Sequence, residues 1–337
     1  LNAKSLLLDW RGVTMTVTKQ ECGMMTILIV ILAILLILCA VLLIYTRNFV
    51  EKFMTRDDHL STDVETAPAN FSGYVLQYKE AMKEVSKLNF EPLSITSNDG
   101  LKLAGKLFRL KPDNNRVVVG FHGYHGSDYY DMARFFDLYR RLGYDILIIS
   151  ERAHHDSEGH YITFGAHEQE DGILWLNQIV SLYGDQVQIV IHGVSMGAAT
   201  VDLLSGRADL PSQVKCVVSD CAYTSIEQEA RNVVHAPHWV QDILLFFLNF
   251  WIKRLANFDL REASPIDSVV HARVPMLFIH GEADNFVPYD MAKPLYEKCP
   301  TEKELFTVPG AAHAASYVID PKGYEEHFEK FTEKYVH

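Results

Sequence analysis

The sequence predicts an α/β fold. A mostly parallel central sheet carries helices on both faces, a helical cap is inserted late, and one apolar helix precedes the whole. Three observations carry this. From residue 91 onward, short β-branched runs alternate with helical stretches, as parallel strands joined by crossover helices require. Residues 223–268 break that alternation. The stretch from Ile27 to Tyr45 is apolar without a charge, proline or glycine.

The apolar stretch comes first. Its 19 residues make about 28 Å of helix, close to the hydrocarbon thickness of a bilayer. Arg47 follows as an interfacial anchor. A secretory signal has a shorter apolar core and a small-x-small site just after it; here Tyr45, Thr46 and Arg47 follow. A single-pass membrane helix is therefore expected at 25–46, after an N-terminal tail at 1–24. The chain begins with Leu1, so Met15 and Met24 are candidate starts. Flanking cations are Arg11 and Lys19 before the span, and Arg47, Lys52 and Arg56 after it. The small excess after the span leans toward a cytoplasmic C-terminal side but leaves the side of the C-terminal domain open. Residues 47–85 read as a juxtamembrane linker, with a helical pattern from Tyr74 to Leu88.

The folded domain is expected over 86–337. EPLSITS, the turn NDG and LKLAGKLFRL form a hairpin. RVVVGFHG, YDILIIS, QVQIVIHG, VKCVVSD, VPMLFIHG and ELFTVPG read as buried parallel strands. Between them lie helices such as MARFFDLYRRLG and HEQEDGILWLNQIVSLYG, each closed by a glycine. YEEHFEKFTEKYV closes the chain. The interruption holds an apolar run around Ile243–Ile252, too short to span a bilayer, and reads as a cap of two or three helices. Its Trp239, Phe246, Phe247, Phe250 and Trp251 either face a hydrophobic substrate group or pack on the sheet.

Composition narrows the function. The chain is 48% hydrophobic and 22% charged, with 43 acidic against 31 basic residues and a net charge of −12. No Lys/Arg stripe appears, so nucleic acid is not an expected partner. Five cysteines, Cys22, Cys39, Cys216, Cys221 and Cys299, lack disulfide-framework or zinc spacing. His154, His155, Glu158 and His160 cluster on a turn without helical ligand spacing. No metal and no cofactor is expected.

The chemistry centres on Gly193-Val194-Ser195-Met196-Gly197. Gly-x-Ser-x-Gly alone arises by chance in about one chain of this length in ten. Here it ends a strand and opens a helix, where a nucleophile elbow must lie. Gly193 and Gly197 leave room for a strained turn, and the helix N-terminus favours developing negative charge. A serine hydroxyl needs a base, and the base an orienting carboxylate. Asp284 follows the strand VPMLFIHG and His313 follows ELFTVPG. Both lie past carboxyl ends of strands, where such sheets bind ligands. Ser195 is assigned as nucleophile, Asp284 as orienting acid and His313 as general base. The backbone N–H groups of Met196 and Tyr124 are the expected oxyanion donors. His122 is expected to hold the Tyr124 loop.

The motifs FHGYHGS, ERAHHDSEGHYITFG, IHGVSMGAA, SDCAYTS, IHGEADNFVP and GAAH together run across 91–337. In them the chain resembles the α/β-hydrolase superfamily, and more narrowly bacterial membrane-anchored serine hydrolases of the esterase or serine-aminopeptidase-like group. The resemblance implies the α/β-hydrolase fold, the cap and the triad, with Asp284 rather than Glu282 as the acid. One departure stands out. The segment Glu151–Gly159 resembles a family stretch reading Asp-x-Arg-x-His-Gly-x-Ser, and here Glu151 and His155 replace the usual Asp and Gly.

The expected activity is a carboxylesterase-like serine hydrolase. It cleaves a small-molecule ester or acyl substrate, hydrophobic if the cap aromatics face it, through an acyl-enzyme. The alternatives are a peptidase or amidase on the same triad, a non-catalytic membrane-tethered binding module, and an acyltransferase, for which no acceptor site is visible.

Overall fold

A computed structural model describes residues 6–10, 13–17, 19–56, 75–110, 112–126 and 128–337. The tail's first residues and part of the expected linker, 57–74, lie outside the described residues. Two short strands, Leu6–Trp10 (β1) and Val13–Val17 (β2), pair antiparallel. The helix Lys19–Phe53 (α1) follows. By length and composition it could cross a membrane. It continues past residue 46 because its last turns gain a partner. Val50 and Met54 are buried against the cap, and that packing holds the polar segment helical. The helix Val75–Val85 (α2) occupies the helical pattern ahead of the domain.

The domain is built on an eight-stranded sheet. Glu91–Thr96 (β3) and Lys102–Phe108 (β4) form the antiparallel hairpin at one edge. Arg116–Phe121 (β5), Asp145–Ile149 (β6), Gln188–Val194 (β7), Val214–Asp220 (β8), Met276–Gly281 (β9) and Lys303–Val308 (β10) are parallel to one another. The spatial order is β10-β9-β8-β7-β5-β6-β4-β3. After β5 the chain moves to one side, to β6, then returns to the other, to β7. The loops after β5 and β7 therefore diverge above adjacent strands, which opens the crevice where ligands bind in such sheets.

Burial follows the strand period. Val117 and Val119 of β5 join one core and Val118 the other; Leu147 and Ile149 of β6 oppose Ile146 and Ile148 in the same way. Alternate side chains buried on both faces are what a doubly covered parallel sheet produces. The covering helices are Asp128–Met132 (α3), Phe136–Arg141 (α4), Glu168–Tyr183 (α5), Met196–Ser205 (α6), Ala292–Lys298 (α10), Ser316–Ile319 (α11) and Pro321–Thr332 (α12).

The insertion between β8 and β9 contains Ile226–Val233 (α7), His238–Leu255 (α8) and Pro265–Val269 (α9). Ser225 caps α7 by accepting from the Gln228 N–H, and Asp259 with Glu262 forms a capping box on the turn before α9. α8 presents Leu245, Leu248 and Ile252 inward. Of its aromatics, Trp239, Phe246 and Phe250 are exposed, while Phe247 and Trp251 are half-buried.

Candidate active site

The strand register decides which loops meet. Phe121, ending β5, pairs beside Gly193 of β7, and Val194 pairs beside Asp220, ending β8. Everything that follows these positions emerges at one end of the sheet.

Ser195 sits between β7 and α6 with φ 56° and ψ −113°, a left-handed conformation costly for a side chain. The turn is held because its neighbours cannot be larger. A Cβ on Gly193 would lie 2.1 Å from the Gly197 carbonyl oxygen, and one on Gly197 would lie 2.2 Å from that of Phe121. The Ser195 N–H donates to the Asp220 carbonyl at 2.8 Å. Strain and close packing together hold the serine at the mouth of the crevice, 8% exposed.

The structure brings Ser195, His313 and Asp284 together from three separate loops. The Ser195 hydroxyl lies 2.8 Å from His313 Nε2, and His313 Nδ1 lies 2.7 Å from Asp284 Oδ2. The pattern is complete when Nδ1–H donates to the carboxylate, leaving Nε2 to accept the serine proton. Asp284 Oδ1 in turn accepts from the N–H groups of Phe286 and Val287, both at 2.9 Å. Burial works to raise the Asp284 pKa. The charge of His313 and hydrogen bonds from His280 and His313 outweigh it and lower the carboxyl to about 2.

The expected oxyanion donors are the backbone N–H groups of Met196 and Tyr124. Met196 is the first residue of α6, so its N–H has no intrahelical acceptor. Tyr124 follows Gly123, where an added Cβ would stand 3.4 Å from Ser195 Cβ. His122 ties that loop down: its Nδ1–H donates to the Gly123 carbonyl at 2.8 Å, and its Nε2 accepts from the Glu151 N–H at 3.0 Å. The Gly123 N–H donates to Asp131 Oδ2 at 2.8 Å.

The departing segment 151–159 keeps its shape at a cost. His155, where the resemblance has glycine, still adopts φ 42°. Arg152 is buried and binds Asp171 through two nitrogens, at 2.6 and 2.8 Å, and Asp99 beyond it. Both carboxyl oxygens of Glu151 are buried without a hydrogen-bond partner among the described residues. Burial, then the nearby Glu168, Asp171 and Asp131, push its pKa well up.

Sequence reasoning missed several neighbours. His280 stands 3.5 Å from Asp284 Oδ2 and donates from Nε2 to the Val287 carbonyl at 2.9 Å, bracing the acid loop. Its signal was the histidine within IHG just before that loop. Phe286 lies against the His313 ring, centroids 5.0 Å apart. The contacts of α1 with the Tyr124 loop had no local signal, because they join residues far apart in sequence.

Among the described residues, potential metal-ligand atoms converge at Cys221, Asp284 and His313. Asp284 and His313 are engaged with one another, and burial pushes the Cys221 thiol well up, against the thiolate a metal needs. His154 is committed too: Nδ1–H donates to the Arg152 carbonyl and Nε2 accepts from the His125 N–H.

A nucleophilic oxygen, an imidazole able to take its proton and a carboxylate orienting that imidazole form the working parts of a hydrolase. The comparisons with known proteins agree. The prolyl oligopeptidase family profile matches residues 158–337, a stretch that contains all three residues. The chain is 28% identical over 227 residues to the uncharacterized protein YqkD of Bacillus subtilis, covering 65% of this chain and 72% of that protein. It is 27% identical over 191 residues to the lysophosphatidylserine lipase ABHD12 of Danio rerio, covering 56% of this chain and 48% of that protein. Among solved structures, the Pyrococcus furiosus esterase Pf2001 superposes with a TM-score of 0.60 at 20% identity, over 76% of this chain and 93% of that one. A Pyrococcus horikoshii acylaminoacyl peptidase superposes with a TM-score of 0.51 at 19% identity, over 74% and 42%. These two likenesses show the α/β-hydrolase fold. The chain belongs to the prolyl oligopeptidase family, within the α/β-hydrolase superfamily.

Proposed function

We propose that this protein is a membrane-anchored serine hydrolase that works through an acyl-enzyme. The observation that carries the reading is the chain of contacts from Ser195 Oγ through His313 to Asp284, at 2.8 and 2.7 Å. His313 Nε2 takes the Ser195 proton as Oγ bonds to the substrate carbonyl carbon. The Met196 and Tyr124 N–H groups receive the oxyanion. His313 then gives the proton to the leaving group, and the carbon–leaving-group bond breaks. Water, deprotonated by the same imidazole, releases the acid and restores Ser195.

For the scissile bond, the family match supports a peptide or amide over the carboxylic ester that the sequence alone favoured. The ester reading keeps one support, the relatives named as esterase and lipase. Both bonds pass through the same intermediate, and the cap selects the leaving group. The anchor reading rests on α1, whose apolar run is exposed along its length from Met24 to Leu38. The domain boundaries at 25–46, 47–85 and 86–337 belong to the same proposal.

The test uses the full chain in detergent. Labelling by a fluorophosphonate that disappears in Ser195→Ala supports the nucleophile; labelling that survives overturns it. Matched acyl p-nitroanilides and p-nitrophenyl esters then separate the two bonds. An anilide kcat/KM within about tenfold of the ester supports the amide reading, and ester-only turnover overturns it.

A further inference from the structure

α8 carries an apolar face that no described residue covers. Trp239, Ile243, Phe246 and Phe250 recur at steps of four, three and four residues, so they line one side of the helix. They are 67%, 41%, 71% and 50% exposed. Single exposed apolar side chains are ordinary, but a continuous stripe marks a surface that meets something apolar.

Two observations identify what it meets. The first is the partner on the adjoining side of α8, which is α1. Trp251 Nε1 donates to the Leu43 carbonyl at 2.9 Å, and Arg47 stands 5.6 Å above the Trp251 ring. α1 is exposed up to Leu38, becomes half-buried at Cys39, and is fully buried at Thr46 and Val50. The end of its apolar run is therefore fastened to α8, where a spanning helix leaves the hydrocarbon. The second observation is chemical. α8 ends in exposed Lys253, which is paired with Asp259, and exposed Arg254, and Arg47 of α1 stands over Trp251 in the same last turns. Aromatic rings with cations at their edge suit the headgroup layer of a bilayer.

We infer that α8 is an interfacial helix. Its stripe lies in the headgroup–acyl boundary of the same bilayer that α1 spans and holds the cap down on the membrane. The inference rests on the reading of α1 as a membrane anchor. It also defines the substrate class: an acyl amphiphile dissolved in the bilayer, which reaches Ser195 without crossing water. Apolar side chains connect α1 with the nucleophile loop. Phe49 and Phe164 belong to the cluster that α1 shares with the cap, Phe164 stacks on Tyr124 at 5.3 Å, and both pack beside Met196.

The experiment takes the full chain reconstituted in phosphatidylcholine liposomes, with and without mid-chain brominated lipid. An alkaline carbonate wash comes first. Tryptophan emission is then compared between wild type and Trp239→Phe. The expected result is that bromolipid quenches a component of the wild type that is missing from the variant. Phe246→Ser with Phe250→Ser should lower turnover of a bilayer-dissolved acyl substrate about fivefold or more and leave a soluble acetyl ester unchanged. Retention after carbonate with equal quenching in both proteins would overturn this inference and leave the anchor standing. Release by carbonate would overturn the anchor and the inference with it. Blue-shifted Trp239 emission without bromolipid quenching would put a second copy of the chain on the stripe, which also overturns it.

Discussion

The phenol of Tyr124 donates a 2.6 Å hydrogen bond to the backbone carbonyl of Phe53. Phe53 ends α1, and its carbonyl is one of those a helix C-terminus leaves without an intrahelical donor. Tyr124 is also the proposed oxyanion residue. The end of the apolar helix and the loop beside the nucleophile are thus joined through one side chain. Arg56, just beyond, donates to the carbonyls of Ser157 and His155. In Tyr124→Phe the link is lost, at about 1 kcal/mol. Fluorophosphonate labelling and kcat should fall roughly three- to tenfold, with KM for a soluble ester little changed. Equal labelling rates would show that the bond does not position the loop.

Asp284→Asn keeps the shape of the acid but removes its charge. An asparagine amide aimed at His313 Nδ1 favours the tautomer with Nε2 protonated, which cannot accept the serine proton. We expect kcat to drop by about 10⁴-fold while the protein stays folded. Steady-state kinetics beside circular dichroism read the two quantities. A loss below about tenfold would remove Asp284 from its proposed role.

Gly193→Ala tests the elbow. The added carbon would lie 2.1 Å from the Gly197 carbonyl oxygen, and that oxygen belongs to backbone that cannot yield without moving Ser195. The expected result is loss of labelling together with destabilisation of at least ~2 kcal/mol in urea unfolding. Wild-type stability and labelling would contradict the described packing.

Arg152→Met probes the buried pair. Arg152 and Asp171 are each about 5% exposed. Burial raises Asp171 to about 6 even with Arg152 beside it. Without the guanidinium, that carboxyl is left near buried Glu151 and Glu168 with its pKa raised further. A raised folded-state pKa means the folded state binds more protons, so stability falls as pH rises through the window above the unfolded value. The cost should be on the order of 3 kcal/mol and larger at pH 8 than at pH 5, about as measured by urea midpoints at the two pH values.

Glu229 in α7 is buried, and its carboxyl oxygens have no hydrogen-bond partner among the described residues. Burial, with the charge of Asp284 added, raises its pKa to about 7. The unfolded chain ionises near 4.5, so stability falls between there and about 7 and is level above. Glu229→Gln should leave the melting temperature unchanged in mild acid. At about pH 8 it should raise it by several degrees, up to ~3 kcal/mol. No gain in alkali would contradict the buried, neutral carboxyl.

Much of this was legible in the chain. The β-branched runs found their places as parallel strands because a doubly buried strand has little freedom in composition. Ser195, Asp284 and His313 were readable because each follows a strand, and parallel strands deliver their carboxyl ends to one edge. Less was legible where partners are remote. The cap aromatics could be read as lining a pocket or packing on the sheet. Instead Trp239, Phe246 and Phe250 face outward, because Leu245, Leu248 and Ile252 supply the inward face. Likewise, the polar segment Asn48–Phe53 looked like linker. It is helical because Val50 within it and Met54 after it find a hydrophobic partner in the cap.

By itself the sequence determined the alternation of strands and helices, the uninterrupted apolar run and the chemistry at three loop positions. These are encoded by local periodicity and by glycines whose neighbours admit no Cβ. Only the tertiary structure decided the 2.8 and 2.7 Å contacts of His313, the bracing of Asp284 by His280, the burial of Glu151, and the fastening of α1 to α8 and Tyr124. All but the His280 brace, which is local, depend on residues separated by tens to hundreds of positions. Strand order, not local composition, brings them within a bond length of one another.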